Sequence, residues 1–171
     1  EMSKNEYYEL VKIAKNAGKP TFVDCDGETL RRTLDAGPSY VKPNYLEFCD
    51  MVGKSDLTDD EIVQEAKKII EKGKADYVVV TLSSKGAIGV SANEIYKVVP
   101  PTTEVQSTVG SGDAFMAGLC HAYLNGFNFR TQLVLATSFG SAKVTKEGNN
   151  VPSLVELLGY ADGCILEELK L

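Results

Sequence analysis

Strands alternating with helices along most of the 171-residue chain predict an α/β domain with a largely parallel sheet. Tyr77-Val78-Val79-Val80-Thr81-Leu82 is a continuous β-branched run, the mark of a strand covered on both faces by helices. Thr21-Phe22-Val23-Asp24 and Ser39-Tyr40-Val41-Lys42 are shorter apolar runs that end on charged residues. The length suits one domain over residues 1–171 with a proper hydrophobic core, and no repeat, low-complexity tract or linker divides it.

The elements follow in order. Tyr7, Leu10, Val11 and Ala14 recur at three- and four-residue spacing, predicting a helix over 3–17 closed by Gly18. Strand 21–24 leads through Gly27 into a helix over about 28–35, and strand 39–42 ends at Pro43-Asn44. Helices over about 44–52 and 59–72 come next, the second with the capping-box pair Thr58 and Glu61. After strand 77–82, Ser83-Ser84-Lys85-Gly86 turns the chain, and Ala87–Ser91 with Ile95–Val99 reads as a hairpin around Ala92-Asn93-Glu94. Pro100-Pro101 break regularity, helices over about 112–125 and 129–146 flank Gly126, and the tail from Leu154 reads as helix after Pro152-Ser153.

Composition narrows the function classes. A formal charge of −6 with no compensating basic cluster argues against a nucleic-acid partner. No apolar run approaches the ~18 residues that span a bilayer, and the polar N-terminus does not read as a secretory signal. Cys25, Cys49, Cys120 and Cys164 are irregularly spaced, and the single histidine, His121, completes no zinc pattern. They read as free thiols in a reducing cytoplasm.

Chemistry concentrates in Ser107-Thr108-Val109-Gly110-Ser111-Gly112-Asp113. Glycines let this backbone turn sharply, and the helix that follows offers unpaired amides and a positive dipole end to an anion. Asp113 falls in the first turn, where it either stabilises the dipole or accepts a proton beside a transferring phosphoryl group. In a parallel sheet, ligands sit past the carboxyl ends of the strands. Asp24, Lys42-Pro43-Asn44 with Glu47, and Ser83 to Gly86 occupy such positions. Gly53-Lys54-Ser55 looks like the end of a phosphate-binding P-loop but has Phe48 where the upstream glycine belongs. Gly110-Ser111-Gly112 begins a dinucleotide fingerprint whose third glycine is replaced by Phe115.

Together these segments resemble the ribokinase-like (PfkB) carbohydrate kinases. Val98-Val99-Pro100-Pro101 leading to Ser107–Asp113 is similar to that family's second signature. Val41-Lys42-Pro43-Asn44-Tyr45-Leu46-Glu47 is similar to its Lys-Pro-Asn-x-x-Glu element, and Val79–Gly86 stands in the place of its nucleotide-loop strand. With Asp24-Cys25-Asp26-Gly27-Glu28, the wording is nearest the 1-phosphofructokinase, 6-phosphofructokinase and tagatose-6-phosphate kinase branch. The resemblance implies a ribokinase-like fold of which this chain is the C-terminal half, without the β-sheet lid and most of the sugar pocket.

It further implies a cytoplasmic sugar-phosphate kinase using ATP and Mg²⁺ on a phosphorylated hexose. Asp113 would be the base, and the Gly110, Ser111 and Gly112 amides would cradle the transferring phosphoryl. Glu47 with Asn44, joined by Asp24, would organise Mg²⁺ through waters, and Lys42 would reach an ATP phosphate. Thr81, Ser83 and Gly86 would lie along the nucleotide, and Thr137 and Ser141 would border the adenine or simply pack as small helix residues. Backbone oxygens near Ser107, Val109 and Gly148 would suit a monovalent cation such as K⁺. Another sugar or a nucleoside as substrate, and a non-catalytic nucleotide-binding module, stay open as alternatives. Apolar surface left by an absent half would invite self-association into a homo-oligomer.

Overall fold

The computed structural model describes residues 5–148 and 150–170. Residues 3 and 4 of the expected first helix lie outside that range. The described chain divides into two compact units, one reaching to Leu82 and taking in Ile88–Ile95, the other formed by Ser83–Ala87 and Tyr96–Leu169.

In the first unit, β1 (Phe22–Val23), β2 (Tyr40–Val41) and β3 (Tyr77–Thr81) pair in parallel in that order. The register sets Phe22 opposite Tyr40 and Tyr40 opposite Tyr77, and the three rings stack at 4.6 and 4.3 Å between centroids. Offset stacking of this kind adds roughly 0.5–1.5 kcal/mol per pair beyond simple burial. Val78, Val79 and Val80 are all fully buried, so successive side chains on both faces of β3 are covered. Helices α1 (Glu6–Asn16), α2 (Gly27–Thr33), α3 (Tyr45–Val52) and α4 (Asp59–Glu71) surround these strands in the sequence, and β4 (Ala87–Val90) follows β3. The Thr58–Glu61 capping box forms as expected: Thr58 N donates to Glu61 Oε2 at 2.8 Å, and Glu61 N donates back to Thr58 Oγ1 at 3.3 Å. Ile62, Val63, Ala66 and Ile69 turn the apolar stripe of α4 inward.

The second unit holds β5 (Ile95–Val99) from Tyr96 on, with α5 (Ser111–Leu124), α6 (Phe129–Lys143), α7 (Leu154–Gly163) and β6 (Ile165–Glu168). Phe115, Leu119, Ala122, Phe129, Leu133 and Ala136 form its buried apolar core. A Cβ on Gly118 would lie 3.0 Å from Ala136 Cα, so the missing side chain is what lets α5 and α6 approach. The tail departs from the sequence expectation. Only Leu154–Gly163 is helical; Ile165–Glu168 is a strand, paired antiparallel to β5 with Leu166 opposite Val98. Its Glu167-Glu168 ending carries no strand signature, and the pairing with β5 overrides local propensity. The strands are therefore of mixed direction, parallel through β1–β3 and antiparallel at β5–β6.

Candidate active site

In the first unit, the strand ends gather the expected side chains. Thr81 N donates to Pro43 O at 3.0 Å, and Asn44 bridges to Thr81, so the β2–β3 ladder continues past Val41 into the Lys-Pro-Asn element. Pro43 has no N–H to contribute, and its fixed φ directs the chain from ladder to helix. Asn44 then caps α3. Its Oδ1 accepts from Glu47 N at 3.0 Å, while Glu47 Oε2 accepts from Asn44 N at 2.8 Å. The Asn–x–x–Glu spacing is thus a capping box first, and it holds the Glu47 carboxylate in one orientation.

Lys42 is not the solvated strand end that a lysine at this position would ordinarily be. It is 4% exposed, and its Nζ pairs with Asp24 Oδ2 at 2.9 Å. Burying an ammonium without a partner would cost several kcal/mol, so the ion pair with Asp24 offsets that cost and fixes the lysine's direction. Asp24 and Glu47 also line a cleft of about 350 Å³ with Tyr7, Cys25, Asp26 and Thr29. Burial pushes the Cys25 thiol up to about 11, opposed by its contact with the Thr33 hydroxyl and reinforced by the charges of Asp24, Asp26 and Glu47. The cleft is accordingly negative and suits a cation. Among the described residues, no group of three His, Cys, Asp or Glu side chains closes around a metal. Carboxylates spread in this way fit a hydrated Mg²⁺ held through its waters.

The second unit holds the glycine loop. Gln106 N and Ser107 N both donate to Val144 O, at 2.8 and 3.1 Å, tying the loop to the end of α6. Ser107 Oγ accepts from Val109 N at 3.3 Å, and Ser111 donates to Thr108 O from both its amide, at 3.3 Å, and its hydroxyl, at 2.9 Å. Gly110 is the N-cap at φ +77°, a left-handed conformation that glycine adopts without strain, and no side chain caps the helix. The ladder starts when Ala114 N donates to Gly110 O at 2.9 Å. Helix α5 thus begins at Ser111, one residue earlier than expected. The Gly112 and Asp113 amides have no acceptor among the described residues.

The amides of this turn differ in their partners. Of the three amides assigned to an anion, that of Ser111 already has Thr108 O, whereas that of Asp113 is free to join Gly112. The Asp113 side chain is exposed at the same turn. The first turn of a helix is where unpaired amides and the dipole act together on an anion.

Ser83 opens the turn after β3 with φ +57°, rare for a residue with a Cβ, and Gly86 N donates to Ser83 O at 3.0 Å. Gly86 itself is buried at φ +89° against Val98. Thr137 is 3% exposed, and its hydroxyl oxygen has no hydrogen-bond partner among the described residues. An orphan buried hydroxyl is costly. Ser141, one turn on, is half-buried.

Of the three backbone oxygens read as a cation site, that of Gly148 is already engaged: Lys143 Nζ donates to it at 2.5 Å. Sequence reasoning passed over Lys143. The signal was present in its position, because Phe129, Leu133, Ala136, Gly140 and Lys143 recur at helical spacing and all are buried. His121 lies exposed with its ring 6.2 Å from that of Phe139, none of the four cysteines forms a disulfide, and no described helix is long and apolar enough to cross a membrane.

The family model described as pfkB family carbohydrate kinase matches residues 1–155. The chain is 35% identical to a 1-phosphofructokinase of Rhodobacter capsulatus over 155 residues, covering 91% of this chain and 49% of that protein. It is 32% identical to the ATP-dependent 6-phosphofructokinase isozyme 2 of Escherichia coli (strain K12) over 146 residues, covering 85% and 47%. A crystal structure of phosphofructokinase-2 from Escherichia coli in complex with potassium superposes with a TM-score of 0.88 at 28% identity, covering 94% of this chain and 52% of that one. The chain spans about half the length of the curated relatives it matches.

Proposed function

The chain belongs to the pfkB family of carbohydrate kinases, and we propose that it forms the nucleotide-binding and proton-accepting part of a sugar-phosphate kinase. The reaction is phosphoryl transfer from ATP to a hydroxyl of fructose 1-phosphate, fructose 6-phosphate or tagatose 6-phosphate. The observation that carries this reading is the start of α5: a side-chain-free cap at Gly110, two amides without an acceptor among the described residues and an exposed carboxylate in one turn.

Phosphoryl transfer asks the protein chiefly for positioning and charge stabilisation. Asp113 accepts the proton of the sugar hydroxyl as its oxygen bonds to the γ-phosphorus and the bond to the departing ADP oxygen breaks. The Gly112 and Asp113 amides, shaped by Gly110 and Ser111, donate to the phosphoryl oxygens, where the charge spreads. Glu47, with Asn44 and Asp24, would hold a hydrated Mg²⁺ through its waters, and the ion would supply positive charge to offset nucleotide phosphate. Lys42 sets the direction of Asp24. The Thr81, Ser83 and Gly86 turn lies along the nucleotide, and the orphan Thr137 hydroxyl with Ser141 faces its base.

The test is a coupled assay of the full-length protein with ATP and each of the three sugar phosphates. Asp113→Asn keeps the shape and removes the base, so turnover should fall by ~10²-fold or more, while Mg-ATP affinity by calorimetry should hold. Near-normal turnover in that variant removes Asp113 from the role, and absence of nucleotide binding in the parent removes the kinase reading.

A further inference from the structure

A buried cation lies against the residue that opens α5. Lys143, in the last turn of α6, is 6% exposed. A Cβ on Gly110 would sit 3.3 Å from Lys143 Cε, so the lysine stem runs along the cap of the glycine-loop helix. One bond beyond Cε, Nζ donates to Gly148 O at 2.5 Å. The neighbouring Val144 carbonyl receives the Gln106 and Ser107 amides at the other end of the same loop. No carboxylate forms an ion pair with Lys143 among the described residues, whereas Lys42, the other buried lysine, has Asp24. Lysine is rarely buried this far without a charged partner.

A backbone carbonyl that accepts from an ammonium at this distance is a poor ligand for an alkali cation, because the two positive charges would repel across one oxygen. We infer that the Lys143 ammonium is a built-in cation that replaces a bound K⁺ beside the glycine loop and biases the loop toward an anion. The chain therefore needs no monovalent ion at this position. The anion-binding half of this inference rests on the kinase reading above; the cation half does not.

The test uses the full-length protein in two arms. In the first, without nucleotide, thermal unfolding is followed in potassium, sodium and choline chloride at equal ionic strength. The parent should unfold at the same temperature in all three. Lys143→Ser, which empties the position, should unfold earlier in choline and recover specifically in potassium. In the second arm, calorimetry should give the parent one Mg-ATP affinity in every salt. Lys143→Ser should bind roughly tenfold or more weakly in choline and regain affinity in potassium. Lys143→Met, which keeps the stem without the charge, should stay weak in both. Saturable stabilisation or activation of the parent by potassium overturns the proposal, as does parent-like affinity in Lys143→Met. Because the parent's salt response needs no variant, the proposal remains testable if Lys143→Ser does not fold. A parent that binds no nucleotide refutes the kinase reading and leaves the thermal arm to decide the cation.

Discussion

Gly86→Ala is expected to be among the most damaging single-methyl additions in the second unit. Gly86 lies at φ +89°, and a Cβ there would meet the Val98 carbonyl oxygen at 1.8 Å, its carbon at 2.8 Å and Val99 Cα at 2.9 Å. All three obstacles are backbone, so no rotamer change relieves them. Restoring contact at roughly 3 Å requires β5 or the turn to retreat by more than about 1 Å. Val98 and Val99 are paired with Leu166 and Ile165, so that retreat loosens the β5–β6 ladder. The left-handed backbone adds about 1 kcal/mol, overpacking adds about 1–3 kcal/mol, and one lost ladder hydrogen bond adds about 1 kcal/mol. The expected destabilisation is therefore about 3–5 kcal/mol, a large share of the stability of an ordinary domain. Urea unfolding followed by circular dichroism measures it, with Lys85→Ala, at an exposed neighbour, as the control expected to stay within about 0.5 kcal/mol. A Gly86→Ala midpoint equal to that of the control would refute the reasoning.

Asn44→Ala removes the Oδ1 acceptor of the Glu47 amide from the α3 capping box and should cost about 1 kcal/mol in denaturant titration, while the Asn44 backbone amide still donates to the Glu47 carboxylate. Burial pushes both the Cys25 and Cys164 thiols up to about 11. Their alkylation by iodoacetamide, followed residue by residue by mass spectrometry, should be slow at neutral pH and still be rising above pH 9. Hydrogen bonds from Lys146 and Ser153 hold Glu156 down at about 2. Since the folded-state value is depressed, its contribution is full above about pH 4.5 and is lost as the pH falls through about 2. Acid titration of Lys146→Met should show a smaller loss than in the parent, complete at a higher pH.

Elements whose information is local could be read from the residues. The β-branched run at Tyr77–Leu82 has few conformations that bury it, and it forms β3 with Val78, Val79 and Val80 fully buried. Thr58 and Glu61 need only each other and one helical turn to form their box, and they form it. Strand β6 was not legible, because Ile165–Glu168 becomes a strand through pairing with β5 rather than through its own propensity. The same distinction runs through the candidate site. Lys-Pro-Asn-x-x-Glu and Gly-Ser-Gly-Asp declare themselves by residue type and spacing. That Lys42 is buried on Asp24, that Thr137 keeps an unpartnered hydroxyl, and that Lys143 reaches Gly148 are facts about partners.

The glycine-loop helix shows where the boundary falls. By itself the sequence determined that Gly110 would let the chain turn and that Asp113 would stand in the first turn of α5, because both follow from backbone sterics and helical spacing. Only the tertiary structure decided which amides stay unpaired and which cation lies beside them. Thr108 O takes the Ser111 amide, and the return of α6 brings the Lys143 stem against Gly110. Those outcomes depend on hydrogen bonds and packing between residues that only the folded chain brings together.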